Sequence, residues 1–343
     1  MNNFLFWLSR KMNFPFAGPC MLQISLTYAC NLRCKMCSIV DLLPASEELS
    51  TQQVKKVMGD AKDYGIKEVL LTGGEPLLRK DIFELCAHAD QLGLRSIVTT
   101  NGVLVDEAVA EQIVRARVGH VHISVEGLEA TNDFFRGKGS LKKAMQAVNL
   151  LNKRRQAGRG PSIGFACTVM QDNVKELYDL FVLADESGVD VINFQPLVRD
   201  NANFMDKKVP VYWVQGEGVD ILEAAIRRIR KYRPKHIFIH EEPRLELLTK
   251  YYRNELSKKD WVCFGGFKTA FVCYSKSEPL VYSCHGICGN LDKMTLKQAW
   301  RSREAYQLRR HSMNCRNLCM QSCYSLKNAE SLLPLHHFKS GAR

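Results

Sequence analysis

The sequence predicts an α/β protein, a partial (β/α)6 TIM-like barrel followed by a small cysteine-rich C-terminal domain. Short runs rich in β-branched residues alternate with segments of helical periodicity, and small polar motifs follow several of these runs. The last quarter of the chain is instead rich in cysteine, glycine and aromatic residues. With 343 residues, 46% of them hydrophobic, the chain can bury the core that such a fold requires.

The strand and helix pattern extends over the first two thirds of the chain. Because a strand, a helix and a second parallel strand form one crossover unit, six or seven such units curl the sheet into part of a barrel. The predicted strands are 22–27, 68–71, 96–100, 120–125, 163–169 and 189–194. The predicted helices are 52–61, 82–92, 107–116, 141–155, 174–186 and 217–232.

Four polar motifs lie where predicted strands end. They are TGGEP at 72–76, TNG at 100–102, SVEG at 124–127 and QPL at 195–197. Active sites in parallel α/β folds gather at the carboxyl ends of the strands. We therefore expect all four motifs to face one cavity.

The cysteine content indicates a reducing environment and metal binding. The chain has thirteen cysteines but no secretory signal pattern at its start, so disulfides are not expected. We therefore predict a cytoplasmic protein in which clustered cysteines bind metal.

The net charge of +12 would suit an anionic substrate, although it is also compatible with a solvated surface. Basic runs such as 153–155 resemble the C-terminal ends of helices, where cations interact favourably with the helix dipole, so nucleic acid is not expected as a partner.

The N-terminal segment is apolar at 4–8 and then basic at Arg10 and Lys11. Its apolar run is too short to cross a bilayer, which takes about 20 residues. Two interpretations remain: a helix packed across the base of the main domain, or a contact with a membrane surface in which residues 4–8 dip into the lipid.

Three cysteines follow the first predicted strand within eight residues: Cys30, Cys34 and Cys37. Electron-transfer clusters usually have four cysteine ligands, so three would leave one iron of a [4Fe-4S] cluster open to a substrate. Zinc is the competing interpretation, but a structural zinc needs a fourth ligand and none lies nearby in the sequence. Buried cysteines without a ligand fit poorly with the polar residues of this loop.

The spacing of Cys30, Cys34 and Cys37 resembles the signature of the radical S-adenosylmethionine (radical SAM) superfamily, with Met36 where the family usually has an aromatic residue. The resemblance implies that the open iron binds SAM. An electron from a reductant such as flavodoxin or ferredoxin would then release a 5'-deoxyadenosyl radical, which abstracts hydrogen from a substrate.

Further positions match the SAM-binding motifs of this family. The resemblance implies that the glycines of the GGEP motif let the backbone approach the methionine end of SAM and that Glu75 faces its ammonium group. Ser124 resembles the serine of the family's Ser-x-Asp-Gly motif, with Glu126 in place of aspartate. A turn, a capping asparagine and a surface arginine are the structural alternatives. The implied SAM-binding set is Gly73, Gly74, Glu75, Pro76, Asn101, Ser124 and Arg136.

Seven cysteines lie in the last quarter of the chain, which resembles the SPASM/Twitch extension of radical SAM enzymes. The resemblance implies a second, auxiliary [4Fe-4S] cluster, held by Cys263, Cys284 and Cys323 together with Cys315 or Cys319. A structural zinc at the same thiolates is the alternative. The expected divisions are an N-terminal extension at 1–21, the barrel at 22–240, a linker helix at 241–260, the auxiliary domain at 261–326 and a tail at 327–343.

The auxiliary cluster favours a net oxidation or a radical coupling, because a fully ligated cluster can accept the electron that a substrate radical loses. Two alternatives remain open. One is an epimerase with a thiol hydrogen donor at Cys167, Cys273 or Cys288; the other is a non-catalytic iron-sulfur or zinc scaffold. Because about 21 residues precede the first strand, we expect a small-molecule, sugar, nucleotide or lipid-linked substrate, or a peptide delivered by a separate protein.

Overall fold

The computed structural model describes most of the chain. The described residues are 3–37, 39, 48–155, 160–198, 209–240, 245–275, 277–284 and 286–320. Cys323, an expected cluster ligand, and the expected tail at 327–343 lie outside them.

Within the described ranges, ten strands form one sheet. They are β1 (Met21–Thr27), β2 (Glu68–Gly73), β3 (Arg95–Thr100), β4 (His120–Ser124), β5 (Ser162–Val169), β6 (Val191–Pro196), β7 (Phe238–Ile239), β8 (Thr269–Ser275), β9 (Glu278–Ser283) and β10 (Gly286–Asn290). Their order across the sheet is β10-β9-β8-β1-β2-β3-β4-β5-β6-β7.

In the described chain, helices precede β1, lie between successive strands from β1 to β8, and follow β10. They are α1 (Asn3–Met12), α2 (Thr51–Asp63), α3 (Ile82–Gln91), α4 (Glu107–Arg115), α5 (Glu129–Arg136), α6 (Ser140–Arg154), α7 (Leu177–Glu186), α8 (Val209–Tyr212), α9 (Glu217–Lys231), α10 (Leu247–Tyr252), α11 (Leu296–Trp300) and α12 (Arg303–Asn314). No helix in the described ranges combines the length and the apolar character needed to cross a membrane.

Strands β1 to β7 are parallel, and each pairs with the next along the chain. This arrangement confirms the predicted fold class, since the parallel strands with their crossover helices form a partial barrel. The six predicted strands and six predicted helices all overlap observed elements. The sequence did not indicate β7, whose two residues are too few for a pattern to show.

The cysteine-rich region continues the same sheet. Strand β8 pairs in parallel with β1, with Met21 opposite Thr269 and Ile24 opposite Val272. Strands β8, β9 and β10 then pair antiparallel to one another. Strand β8 of the expected auxiliary domain thus pairs with β1 of the expected barrel. The domain boundaries expected from the sequence stay predictions.

Helix α1 packs on the residues that precede β8, near the amino ends of β1 and β8. Phe6 is 2% exposed and forms a small apolar cluster with Phe264 and Phe267. Arg10 Nε donates a hydrogen bond of 2.9 Å to the carbonyl oxygen of Cys263. The side chain of Phe6 is thus buried in protein, which the membrane interpretation of residues 4–8 did not anticipate.

Candidate functional site

The three-cysteine loop begins where β1 ends. Its fold is set by local hydrogen bonds: Leu32 N donates to Cys30 Sγ at 3.4 Å, and Cys37 N donates to the carbonyl oxygen of Cys34 at 3.1 Å. All three thiols are half-buried. Burial raises the pKa of the Cys30 and Cys34 thiols, so their thiolate forms need a positive charge close by.

The two glycines after β2 lie against the chain that leads into this loop. Gly74 N donates to Thr27 O at 2.7 Å, and Glu75 N donates to Ala29 O at 2.8 Å. A Cβ atom would lie 2.1 Å from Thr27 O at Gly73 and 2.1 Å from Ala29 O at Gly74. Glycine is therefore required here by the approach of two backbone segments within the protein. Their expected approach to SAM stays a prediction.

The Glu75 carboxylate is fully buried and holds two strand ends together. It accepts hydrogen bonds from Leu77 N at 3.1 Å, Thr100 Oγ1 at 2.8 Å and Asn101 N at 2.8 Å. Burial raises the pKa of the Glu75 carboxyl, and the three hydrogen bonds oppose that shift. Pro76 begins a short 3₁₀-helix, which Glu75 caps. The carboxylate is thus enclosed by protein donors, and its predicted contact with an ammonium group stays a prediction.

Asn101, at the end of β3, connects that strand to the cysteine loop. Its Nδ2 donates to Asn31 Oδ1 at 2.7 Å and lies 4.0 Å from Cys30 Sγ. Its Oδ1 accepts a hydrogen bond from Val103 N at 2.9 Å. The side chain is therefore held in one orientation beside the first cysteine.

Arg136, at the end of α5, lies between a carboxylate and the second cysteine. Its Nη2 is 2.5 Å from Glu126 Oε1, and its Nη1 is 3.9 Å from Cys34 Sγ. Burial would lower the pKa of Arg136, but the Glu126 carboxylate raises it. Glu126 is itself 1% exposed and accepts a hydrogen bond from Thr168 N at 2.7 Å. Sequence reasoning had noted Glu126 only as a replacement for aspartate and missed its role in orienting Arg136.

These groups surround one cavity of about 160 Å³. Its walls are Cys30, Leu32, Cys34, Met36, Cys37, Thr72, Gly73, Gly74, Thr99, Thr100, Asn101, Ser124 and Arg136. The structure therefore brings together the three cysteines and most of the predicted SAM-binding set. Glu75 and Pro76 lie outside the cavity wall, and the predicted QPL motif at 195–197 does not line it.

The cavity fits an iron-sulfur cluster with a small anionic group beside it. Three thiols face it, and Arg136 brings a positive charge within reach of Cys34. Arg136 Nε is buried and has no hydrogen-bond partner among the described residues. A buried guanidinium with an unused N–H is suited to an acceptor such as a carboxylate.

Among the expected auxiliary ligands, Cys284 and Cys319 lie close enough to Cys263 to affect its pKa. Burial, together with the neighbouring thiols of Cys319 and Cys284, raises the pKa of Cys263 to about 12. Gly265 N donates to Cys263 Sγ at 3.2 Å, and Asn317 N donates to Cys315 Sγ at 3.4 Å. Within the ranges described above, no three His, Cys, Asp or Glu side chains are gathered closely enough to hold a single metal ion. The auxiliary ligand set stays a prediction.

Three cysteines were considered above as donors of a hydrogen atom to a substrate radical. Two of them are buried in the core: Cys167 is 1% exposed and Cys288 is 2% exposed. Cys273, on β8, is half-buried. Its Sγ lies 3.7 Å from Ser25 Oγ on β1, the strand that leads to Cys30.

Comparison with known proteins gives consistent results. A family model described as "Radical SAM superfamily" matches residues 24–181. Fe-coproporphyrin III synthase of Methanosarcina barkeri is 32% identical over 176 residues, which are 51% of this chain and 43% of that protein. The chain thus spans less than half the length of that relative. AdoMet-dependent heme synthase of the same organism is 27% identical over 323 residues, 88% of each chain.

A solved structure shows the same fold. Streptococcus suis SuiB, bound to its precursor peptide SuiA, has a TM-score of 0.67 at 17% identity, and the match covers 88% of this chain and 68% of SuiB. At this identity the likeness concerns the fold alone.

The matched residues 24–181 extend from β1 into α7 and include the three-cysteine loop and the ends of β2, β3 and β4. These are the elements that surround the cavity. Residues 24–181 thus form a domain of the radical SAM superfamily, whose members use a [4Fe-4S] cluster and S-adenosylmethionine.

Proposed function

We propose that the protein is an enzyme that abstracts hydrogen from a substrate bound at the carboxyl ends of its parallel strands, with net oxidation or radical coupling as the outcome. The observation that carries this proposal is the cavity in which Cys30, Cys34 and Cys37 meet Asn101, Ser124 and Arg136. When bound there, the cluster and SAM supply a 5'-deoxyadenosyl radical.

The chain's own residues would hold and orient these groups. Cys30, Cys34 and Cys37 are assigned as the three ligands, which leaves one iron without a protein thiolate. Asn101 fixes the loop through Asn31, and the hydrogen bond between them would keep Cys30 in place. Glu126 pairs with Nη2 of Arg136 and Cys34 Sγ lies near Nη1, so Nε is the atom of this guanidinium that has no hydrogen-bond partner among the described residues. We assign this N–H to the carboxylate of SAM.

The cysteine-rich region supports an oxidative outcome. Cys263, Cys284 and Cys323, with Cys315 or Cys319, would hold a second cluster with four thiolate ligands, which can accept an electron but has no open iron. A reductant such as flavodoxin or ferredoxin would supply the first cluster. Both clusters are expected in a reducing cytoplasm.

Two of the relatives support a small-molecule substrate. They are named as synthases of Fe-coproporphyrin III and of heme, and the second aligns over most of both chains. A net charge of +12 would favour an anionic substrate of this kind.

The test is reductive SAM cleavage by the reconstituted protein. Anaerobically reconstituted protein should bind about eight irons and, with dithionite, convert SAM to 5'-deoxyadenosine. A Cys30→Ala/Cys34→Ala/Cys37→Ala variant should retain about four irons and lose the cleavage. Cys86→Ala, which removes a buried thiol of α3, is the matched control and should keep both properties.

Two results would contradict the proposal. Cleavage by the triple variant would exclude the assigned ligands. A fully loaded wild-type protein that leaves SAM intact would favour the non-catalytic scaffold.

A second candidate, an epimerase, is supported by the position of Cys273 next to β1. With the substrate identified, the reaction in deuterated water separates the two. One solvent deuterium at an inverted carbon, abolished by Cys273→Ala, would favour epimerisation, whereas loss of two hydrogens per SAM would favour oxidation.

A further inference from the structure

Exposed apolar side chains are concentrated near the N terminus of the described chain. Phe4 is 54% exposed, Met12 63%, Phe14 45% and Phe16 46%. They are four of the ten large hydrophobic side chains that are exposed in the part of the chain the structure describes. Single exposed apolar residues are common, but a group of them marks an interaction site. We call these four residues the N-terminal apolar patch.

The opposite face of α1 is fixed to the protein. Phe6 is buried against Phe264 and Phe267, and Asn13 Nδ2 donates to Tyr306 O at 3.2 Å. Arg10, on the same side, donates to the Cys263 carbonyl. Because this face is held by apolar and polar contacts, the helix cannot rotate to bury the patch in its own core.

Aromatic and basic side chains alternate around the patch. The rings of Phe4 and Trp7 stack at 5.9 Å, and Lys11 Nζ lies 5.8 Å from the Trp7 ring. The rings of Phe14 and Phe16 are 4.9 Å apart, and the Arg301 guanidinium is 5.5 Å from the Phe14 ring. Aromatic rings with lysine and arginine at their edge are typical of segments that lie in a membrane interface.

We propose that the N-terminal apolar patch docks the protein on an anionic membrane surface. The rings and Met12 would enter the boundary between head groups and acyl chains, while Lys11 and Arg301 would meet lipid phosphates. The positive charges of Lys11 and Arg301 favour anionic lipid as the binding partner, because they complement its negative charge. The contact face differs from the sequence-based expectation, since Phe6 is buried in the protein and Met12, Phe14 and Phe16 are exposed.

The experiment measures binding of the full chain to two kinds of vesicle by cosedimentation. Vesicles of equal parts phosphatidylglycerol and phosphatidylcholine should bind the protein, and pure phosphatidylcholine vesicles should bind it more weakly. A Phe14→Ser/Phe16→Ser variant should bind the anionic vesicles about tenfold more weakly, since two rings no longer enter the interface. Lys11→Glu should also weaken binding and reduce its salt dependence.

The matched control is Phe238→Ser, which removes a 74% exposed ring on β7 and should leave vesicle binding unchanged. Circular dichroism verifies that each variant is folded. The proposal is overturned if wild-type protein does not bind anionic vesicles at low salt, or if the double variant binds as well as wild type. It is also overturned if the double variant loses only self-association, measured by light scattering, because the patch would then be a protein interface.

Discussion

Replacing Gly74 by alanine should displace the segment that leads into the cysteine loop. The added Cβ would lie 2.1 Å from Ala29 O, a backbone atom that cannot turn aside as a flexible side chain could. To reach an ordinary contact, the two backbones must separate by over about 1 Å. That movement stretches the bonds from Gly74 N to Thr27 O and from Glu75 N to Ala29 O, which are now 2.7 and 2.8 Å long.

The expected destabilisation combines two contributions. Each weakened hydrogen bond costs about 1 kcal/mol, and crowding in a packed site costs about 1–3 kcal/mol. The free energy of unfolding should therefore fall by about 3–5 kcal/mol. The matched control is Gly59→Ala in the interior of α2, where a Cβ meets nothing within 4 Å. Alanine there should stabilise the helix by about 0.5–1 kcal/mol.

Circular dichroism monitors the urea unfolding of the metal-free, reduced proteins without SAM. These titrations measure the change in the free energy of unfolding for Gly74→Ala and for Gly59→Ala. Iron content after reconstitution then reports whether the cysteine loop still forms a site. If Gly74→Ala unfolds at the wild-type urea concentration and loads a full complement of iron, the steric reasoning is refuted. The requirement for glycine would then have to come from the bound SAM.

Two further predictions concern buried charge. Glu126→Gln should lower the free energy of unfolding by about 3 kcal/mol in urea titrations, because it leaves Arg136 buried without its counter-charge. Asp90→Asn, which removes an exposed pair with Arg117, should cost less than about 0.5 kcal/mol, and equal losses would contradict this. Burial lowers the pKa of His120 to about 2 and that of His122 to about 4, so both are neutral when folded but take up protons in the unfolded chain below about pH 6.5. Stability should therefore decrease as the pH falls from about 6.5 towards 4, and His122→Asn should make this decrease shallower in urea titrations of the metal-free protein.

Much of the fold could be predicted because buried parallel strands form continuous apolar runs and their helices are amphipathic. Residues 163–169, for example, read as a strand and form most of β5. The convergence of the strand-end motifs followed from the same pattern, since parallel strands end at one edge of the sheet. The position of Ser124 and Asn101 beside the three-cysteine loop is a consequence of that rule.

Other features depend on contacts between distant residues that a local pattern does not contain. The pairing of β8 with β1 joins residues 248 positions apart, as in the contact between Ser25 and Cys273. The sequence motif predicts that the Glu75 carboxylate faces a ligand. The structure shows that this carboxylate accepts hydrogen bonds from Thr100 and Asn101 within the protein. The side of α1 that is buried depends in the same way on Phe264 and Phe267.

The position of β1 between β2 and β8 has a consequence for synthesis of the protein. Strand β2, which pairs with one edge of β1, leaves the ribosome soon after β1. Strand β8, which pairs with the other edge, leaves much later, because Cys273 on β8 follows Ser25 on β1 by 248 residues. At about 5–20 residues per second, one edge of β1 stays without a partner for about 12–50 s. An unpaired strand edge invites association with other chains. The strand that carries the cysteine loop is therefore completed late, and a chaperone that shields this edge during translation would protect the iron site before it is loaded.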